Sequence, residues 1–385
     1  MKKNVLKIAF LLTLSFNSCD KAELTQDEIT QVNKTSSQEA MKQSSMFNYI
    51  ESINVNNGLN TECENNILIF PSWEVYHLTI EKLDELTENY CNAFDANIPA
   101  NISDEQYDAL CESAGFDEDN ILKQFEEDLA FCSLRQKINV AEDAWLDTQS
   151  ETGPFVGNDP DDDFIDDETE RALLNEGHEV IIGDRKKGYV IYKFIDDLGN
   201  FYQINNMDLE LLQAINNGVV PVGNPNLVIN SPKPSDVDCK KEVKEIEMEY
   251  GTVNRCKRIS KIRKSLTGAI MGDISPSKIK ATTKGYKLKK RKWKRRRTNI
   301  TASINGINLS TSGIIYVECS KEQELLVTKS KKRRRVSVKR KCPELVGGST
   351  SDVSDSWNVI DDKIYSYHQQ GSLITNKDYY DMPNN

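Results

Sequence analysis

The chain has 385 residues and a formal net charge of -11, from 49 Lys and Arg against 60 Asp and Glu. The total hides a division, because residues 1–250 carry 19 basic and 49 acidic residues whereas residues 251–350 carry 28 and 5. A hydrophobic share of 38% can build cores, which argues against wholesale disorder. No apolar run after the N-terminus reaches the roughly 18–20 residues that span a bilayer, which excludes a multi-span membrane protein.

The first nineteen residues have the form of an export signal. A basic start is followed by an apolar stretch at 8–16, and Ser18 stands directly before Cys19. A small residue before a Cys at this place resembles the lipobox of bacterial lipoproteins, in which the Cys is acylated and becomes the mature N-terminus. The resemblance implies lipid attachment at Cys19 and a body tethered in the cell envelope, at the outer membrane, on either the periplasmic or the surface face. The alternatives are an ordinary cleaved signal and an uncleaved N-terminal anchor.

Eight cysteines remain after Cys19, and an even number in an exported chain permits disulfides. None lies in a CxxC pair, which argues against a zinc ribbon or a thioredoxin-like site. Cys319 and Cys342 form the candidate disulfide, because both fall on candidate strands of one basic module. Closing that loop would stabilise the fold by about 3 kcal/mol on the chain-entropy model. Eight buried free thiols remain the alternative.

The N-terminal half begins with a polar, flexible tether at 20–60 and continues with a helical region at 61–150. A short strand is predicted at 66–70. Ser72 is placed to cap the first helix, and Ser103 with Gln106 has the pattern of a capping box. Two further stripes of apolar residues at helical spacing predict two more helices, centred on Phe125 and Ala141.

An acidic loop and a small α/β region are predicted at 151–230. The loop packs seven carboxylates into residues 158–168, so Asp159, Asp161 and Asp163 are weak calcium candidates. The favoured alternative is an acidic surface loop that precedes a helix, because Phe164 stands where a calcium-binding EF-hand loop needs Gly. No other metal and no cofactor are predicted.

Short apolar runs predict strands at 178–182, 189–194 and 201–204, and helical spacing predicts a helix at 208–215. Four prolines then punctuate the chain, and residues 231–250 are predicted to be a linker.

Three segments of this half carry a family resemblance. They are FPSWEVYHLTIEKLDEL, SLRQKINVAEDAW and LLNEGHEVIIGDRKKGYVIYKF. Together they resemble a set of uncharacterised lipoproteins of Bacteroidota in which a helical segment ends in a Ser-Leu-Arg stretch, here Ser133, Leu134 and Arg135. The match covers about residues 65–216. It implies a compartment and an architecture and supplies no catalytic residues.

The region 251–345 is predicted to be a basic β-rich module, either a sandwich or a small barrel, followed by a tail at 346–385. Alternating residues at 300–304 and a return at 307–309 flank Asn305-Gly306, which predicts a hairpin with a type I′ turn. Val336 and Val338 alternate inside the second basic run and predict another strand. The tail's aromatic part either docks on the body or forms a terminal strand. The fold class is therefore α+β and multidomain.

The two basic runs supply the candidate anion-binding residues. These are Lys289, Lys290, Arg291, Lys292, Trp293, Lys294, Arg295, Arg296, Arg297, Lys332, Arg333, Arg334 and Arg335. One interpretation is nucleic acid, since cations neutralise phosphates and Trp can stack, but the export signal disfavours a specific nucleic-acid partner. A second is another anionic polymer, such as lipopolysaccharide or an acidic glycan. The third is structural, with the cations facing the acidic half of the same molecule.

Enzyme classes have little support in the sequence. The three histidines, His77, His178 and His368, lie in separate segments, and no HExxH helix, G-x-S-x-G elbow or P-loop is present. A glycan hydrolase needs only two carboxylates, so it remains a less favoured alternative. We therefore expect a non-enzymatic cell-envelope lipoprotein with an interaction or adhesion role, anchored to the membrane by its lipid, whose ligand and protein partner the sequence does not identify.

Overall fold

The structure is a computed structural model. It describes residues 47, 50–54, 66–99, 102–165, 167–195, 200–230, 242–250, 254–263, 278–305, 307–308, 323–324, 327–341, 365–370 and 373–379. Cys19, Cys319 and Cys342 lie outside these ranges, so the lipid and disulfide predictions that rest on them are not addressed by the structure.

The described residues combine helices and sheets in an α+β arrangement. The helices are α1 (Trp73–Asp95), α2 (Asp104–Ala114), α3 (Asn120–Asp128), α4 (Leu134–Asp147), α5 (Glu168–Leu173) and α6 (Leu209–Asn216). The four helices predicted at 61–150 are confirmed. Ser72 accepts a hydrogen bond from the backbone N–H of Val75, and Ser103 with Gln106 closes the predicted capping box.

The first sheet has six strands in chain order. They are β1 (Glu51–Asn54), β2 (Asn66–Phe70), β3 (Glu179–Asp184), β4 (Gly188–Phe194), β5 (Phe201–Ile204) and β6 (Leu227–Asn230). All neighbours are antiparallel except β2 and β3. Leu68 packs with the large helical core, whereas Ile67 packs with α6 on the opposite face. The apolar run at 66–70 is thus a strand that is buried on both faces.

The stretches that carry the family resemblance meet in this part of the fold. Ser133 caps α4, and the backbone N–H of Leu134 donates to the carbonyl of Leu174 at 2.8 Å. Arg135 is buried and donates from Nε to Glu126 Oε1 at 2.9 Å. A buried charge is tolerated only when it is paired, so the Ser-Leu-Arg stretch both starts a helix and fixes α3 against it.

The basic half forms two further sheets. The first contains β7 (Glu242–Tyr250), β8 (Asn254–Arg263), β9 (Lys278–Lys289), β10 (Lys292–Arg295) and β15 (Arg335–Lys341). The second contains β14 (Val327–Arg333), β11 (Thr298–Asn305), β16 (Tyr365–Gln370) and β17 (Leu373–Tyr379), in that spatial order. A separate ribbon pairs β12 (Ile307–Asn308) with β13 (Gln323–Glu324). Within the described ranges no sheet closes into a barrel.

The chain crosses from one basic sheet to the other at two points. Strand β10 ends at Arg295 in one sheet and β11 begins at Thr298 in the other, while β14 and β15 are separated only by Arg334. The sheets also touch, because Thr283 Oγ1 of β9 donates to the carbonyl of Thr301 in β11 at 2.7 Å. Both basic runs therefore lie at corners where a strand changes sheet, which is how packed sheets are joined at their edges.

The predicted hairpin across Asn305-Gly306 is wrong. Strand β11 pairs with β14 on one edge and β16 on the other, so neither edge is left for the strand that follows the turn. Two other differences are smaller. Strand β1 lies within the stretch predicted as a flexible tether, 20–60, and strand β7 lies within the stretch predicted as a linker, 231–250. The tail contributes β16 and β17, the second of its two predicted forms. Val336 and Val338 are buried on β15 as predicted.

Among the described residues no helix is both long enough and apolar enough to cross a membrane.

Candidate functional site

The second basic run and the end of the first meet the helices at Asp95, the last residue of α1. Arg297 Nη2 lies 3.1 Å from Asp95 Oδ2, and Arg333 Nη1 donates to the same oxygen. Both arginine side chains are only 6% exposed. The Arg297 guanidinium also lies 4.6 Å from the ring centroid of Phe116, a cation–π distance. Two desolvated cations thus share one carboxylate at the C-terminal end of α1.

The strand corner at Arg334 is held by the loop between α2 and α3. Its backbone N–H donates to Glu118 Oε1 and Oε2, both at 3.2 Å, and its guanidinium reaches Asp119 at 2.8 Å. Glu118 also lies 3.2 Å from Arg297 Nε. Burial raises the pKa of Glu118 to about 7, although Arg297 and Arg334 favour its ionised form. The carboxylate supplies the acceptor that the corner's backbone lacks where the ladder breaks.

Strand β10 and its exit are bound to α4 and α2. Arg295 Nη1 lies 3.4 Å from Glu142 Oε2, and Arg296 Nε donates to Asp108 Oδ1 at 2.8 Å. Tyr286 of the neighbouring β9 donates from its hydroxyl to Glu142 Oε1 at 3.0 Å. Glu142 is therefore a buried carboxylate that is shared by a guanidinium and a phenol.

A third group of charges is buried under the acidic loop. Asp161 is paired with Arg171 and with Lys284, and Arg335 Nη1 lies 4.0 Å away from it and 3.5 Å from Glu168. Burial lowers the pKa of Lys284 to about 7, against the carboxylates around it. Asp161 is thus used as an internal counter-charge.

The three calcium candidates have separate partners. Asp163 Oδ2 lies 2.8 Å from His178 Nε2, and Asp159 Oδ1 accepts the backbone N–H of Asp161 at 2.9 Å. Within the part of the chain that the structure describes, no group of three His, Cys, Asp or Glu side chains is arranged to hold a metal ion. This geometry does not support the calcium alternative.

Trp293 is a core residue and not part of an exposed anion-binding surface. Its side chain is completely buried with Leu146 and Tyr286, and its indole N–H donates to the carbonyl of Ser150 at 2.8 Å. The prediction that placed Trp293 among ligand-binding residues is therefore wrong, since a stacking platform must be exposed. The alternation Lys292, Trp293, Lys294 follows the strand period, which turns the Trp inward and the lysines outward.

Five candidate cations remain at the solvent side, around the turn between β9 and β10. Lys290 and Arg291 form the turn, and the side chain of Arg291 is 87% exposed. Lys289, Lys292 and Lys294 flank it with 40%, 56% and 48% of their side chains exposed. Their carboxylate partners in the described part of the chain are Glu112, Asp147 and Glu151, at the helical side. We call these five cations the hairpin tip.

Lys332 completes the candidate set. Its ammonium lies 3.6 Å from the ring centroid of Tyr107, and its carbonyl accepts from Arg297 Nη2 at 3.0 Å. Together with the contacts above, this places Arg295, Arg296, Arg297, Lys332, Arg333, Arg334 and Arg335 against the acidic helices and loop. These are the contacts that the structural alternative for the cations requires.

The histidines do not come together. His178 stacks on Phe164 with ring centroids 4.5 Å apart, His368 Nδ1 lies 2.8 Å from Thr283 Oγ1 in the contact between the basic sheets, and His77 packs beside Trp73.

One cavity of about 630 Å³ lies between α4 and the acidic loop. Its walls include the rings of Trp145 and Phe155, and its rim carries acidic side chains. The complete lining is Trp145, Phe155, Gly157, Asn158, Asp159, Pro160, Asp162 and Asp163. A concave space with aromatic walls and a few polar groups is the usual form of a small-ligand site.

The acidic side of this contact could have been predicted from the spacing of polar residues along α1. Glu88, Asn92 and Asp95 recur at i, i+4 and i+7 and therefore share one face of α1. Lys331 Nζ donates to Glu88 at 2.5 Å and to Asn92 at 3.1 Å, and Arg333 Nη2 donates to Asn92 at 3.0 Å. A polar face on an otherwise amphipathic helix can thus mark an intramolecular contact as well as a solvated surface.

No protein-family model and no curated protein matches the chain. Among solved structures it is similar to a DUF4848 family protein from Bacteroides thetaiotaomicron VPI-5482, at 12% sequence identity. The alignment covers 84% of this chain and 96% of that chain with a TM-score of 0.15, which carries no argument about fold or function.

Replacing Asp95 by Asn tests the contact between the helices and the basic corners. The change removes the charge that Arg297 and Arg333 share, and we expect the free energy of unfolding to fall by about 2–3 kcal/mol. Urea denaturation of the variant and of Glu81→Gln, an exposed carboxylate of the same helix, gives the comparison. Equal midpoints for the two variants would contradict the assignment.

Glu88 makes the stability of this contact depend on pH. Burial opposes ionisation, but hydrogen bonds from Lys331 and Lys329 lower the pKa of Glu88 to about 2, from 4.5. Because the folded pKa is depressed, its stabilising contribution is present above pH 4.5 and is lost as the pH falls through about 2.

We therefore expect Glu88→Gln to lower the free energy of unfolding by about 1 kcal/mol at pH 7, a value that allows for solvent screening of a pair whose side chains are 32% and 33% exposed. The difference from the unmodified protein should shrink towards pH 2. Denaturation curves measured across this range check the prediction, and a difference that does not change with pH would contradict it.

Proposed function

We propose that the protein is a non-enzymatic cell-envelope lipoprotein with an interaction or adhesion role. The observation that carries the proposal is the way the charges are used. Among the described residues, the carboxylates and cations whose pKa values are shifted most pair with each other across the contact between the helices and the basic sheets, as Glu118 does with Arg297. This pairing supports a rigid body that is held on a tether. It also leaves few of these groups available for catalysis.

The compartment part of the proposal rests mainly on the N-terminus, with the lipid on Cys19 and the body at the outer membrane, facing the periplasm or the surface. Cys91 and Cys111 are free thiols, so the eight cysteines that follow Cys19 do not form four pairs.

The proposed architecture has the acidic helical body and the basic module as two units, with the two basic sheets packed face to face as a sandwich. The contact of Thr283 with Thr301 and the two strand corners support this arrangement. The buried Trp293 further ties the module to α4 through the carbonyl of Ser150 and the side chain of Leu146. Both units would therefore reach a partner as one body.

Cys19→Ser tests the anchor. Without the thiol no acyl chain can be attached, and since two or more chains are needed to hold a protein stably on a membrane, we expect the protein to leave the membrane fraction. Cys111→Ser, which changes a free thiol of α2, should stay in that fraction. Retention of both variants in the membrane fraction would contradict lipidation at Cys19. Protease treatment of intact cells carrying the unmodified protein reports which face of the membrane it occupies.

A glycan hydrolase is the second candidate, and the cavity beside Trp145 is the observation that favours it. Hydrolysis requires one carboxylate that stays protonated as the acid and a second that is ionised. Asp163 suits only the ionised role, because despite burial the hydrogen bond from His178 lowers its pKa.

We therefore expect no release of reducing sugar from acidic or neutral glycans by the purified protein. Reducing-end assays on the unmodified protein and on Asp162→Asn check this. Activity that is lost on changing Asp162 would replace the non-enzymatic proposal.

A further inference from the structure

The hairpin tip has a backbone that is unusual for its residues. Strands β9 and β10 are joined by two residues, and both have positive φ, 51° at Lys290 and 65° at Arg291. A two-residue turn with positive φ at both positions is the type I′ turn, which strongly favours Asn and Gly. Two long cationic side chains therefore occupy positions that cost conformational energy, and strained residues of this kind cluster at sites with a function.

The strands that leave the turn add like charges to it. In the antiparallel register Lys289 stands directly opposite Lys292, and Lys287 stands opposite Lys294. Like charges at directly opposed positions destabilise a hairpin, since the side chains share one face at close distance. Lys287 is compensated by Glu105 at 3.4 Å and Asp108 at 3.7 Å, so the repulsion that remains lies at the outer end of the hairpin. An anion with several charges that lies across this outer end would offset it.

The carboxylates near the tip neutralise it only in part. Lys292 Nζ lies 2.7 Å from Asp147 Oδ2, Arg291 Nε lies 3.4 Å from Glu151 Oε1, and Lys289 pairs with Glu112. Lys294 also lies 4.0 Å from Asp147, so in the described part of the chain the five cations of the tip share three carboxylates. All four ion pairs are exposed, and such pairs contribute little, so an external anion can replace the internal partners. Arg297 and Arg333, at 6% exposure, cannot be reached in this way.

We propose that the hairpin tip binds an anionic polysaccharide that carries carboxylate or sulfate groups along its chain. The tip offers charge without an aromatic platform, because Trp293 is completely buried and Tyr286 is also in the core. Proteins that bind single-stranded nucleic acid without sequence preference combine cations with exposed aromatic rings on which the bases stack, which disfavours a single-stranded nucleic acid as the ligand. This inference deepens the proposed interaction role and rests on it for the compartment in which such a polymer is met.

The matched variant replaces Lys290 by Asn and Arg291 by Gly. It removes two charges and installs the residues that a type I′ turn favours, so the hairpin should fold at least as well as before. The control, Arg185→Ser with Lys186→Ser, removes the same charge from the exposed turn between β3 and β4. Both are made in the full-length chain purified in detergent, and their thermal unfolding is compared with that of the unmodified protein.

The measurement is the affinity for immobilised heparin as the salt concentration is raised. We expect the unmodified protein and the control to be retained alike, with binding that weakens steeply with salt. The tip variant should bind roughly three- to tenfold more weakly, because each of two exposed charge contacts is worth a few-fold. It should also show a shallower salt dependence and unchanged or higher thermal stability.

Three results would overturn the inference. The unmodified protein could pass through heparin at low salt, the tip variant and the control could lose affinity equally, or a DNA oligonucleotide of equal charge could displace heparin as well as alginate does. The last result would replace the polysaccharide by a nucleic acid. None of these results affects the lipid anchor, which membrane fractionation of Cys19→Ser tests separately.

Discussion

The fold of the basic half depends on the pairing of Asp95 and Glu118 with Arg297, Arg333 and the backbone of Arg334. At these points two strands leave one sheet for the other, and each corner interrupts the ladder of backbone hydrogen bonds. Asp95 at the end of α1 and Glu118 in the loop between α2 and α3 supply acceptors at the corners, and the guanidinium groups of Arg297 and Arg333 lose most of their exposure to water. A module with 28 basic and 5 acidic residues could not bring two cationic runs so close together without such counter-charges.

The same pairing explains why this contact is specific. A buried ion pair repays its desolvation only with good geometry and additional hydrogen bonds, so its net contribution to stability is small, while the loss of one partner is costly. Apolar burial at the contact comes from Trp293, Tyr286 and Leu146, and the charges around them restrict how the sheets can be oriented on the helices. Hydrophobic burial therefore favours association, and the ion pairs select one arrangement. The uneven distribution of charge along the chain follows from this arrangement, because the carboxylates of the contact lie in the first 250 residues and its cations lie in the basic half.

Much of the local structure could be predicted, because its causes lie close together in the sequence. Ser72 and Ser103 begin helices through hydrogen bonds to residues three positions later, and Val336 and Val338 alternate on one strand. The hairpin at Asn305-Gly306 could not be predicted correctly from the same local signals, since β14 and β16 occupy both edges of β11 from distant parts of the chain. The burial of Trp293 likewise depends on Ser150 and Leu146, about 140 residues earlier in the sequence. Charge runs are ambiguous for the same reason, because nothing in a run of Lys and Arg tells which side chains will find a carboxylate.

The distinction between structural and available cations consequently depends on the environment of the partner, since all of them have the same chemistry. Arg297 faces Asp95 and Glu118 across a desolvated contact, where an external anion would have to replace both the charges and the ring of Phe116. Arg291 faces Glu151 in water, where an external anion replaces only one weak pair. Strand alternation separates these two populations within ten residues, since the inward side of β10 carries Trp293 and Arg295 and its outward side carries Lys292 and Lys294. One basic run can therefore build the contact between the two halves of the molecule and still leave a charged hairpin in solvent.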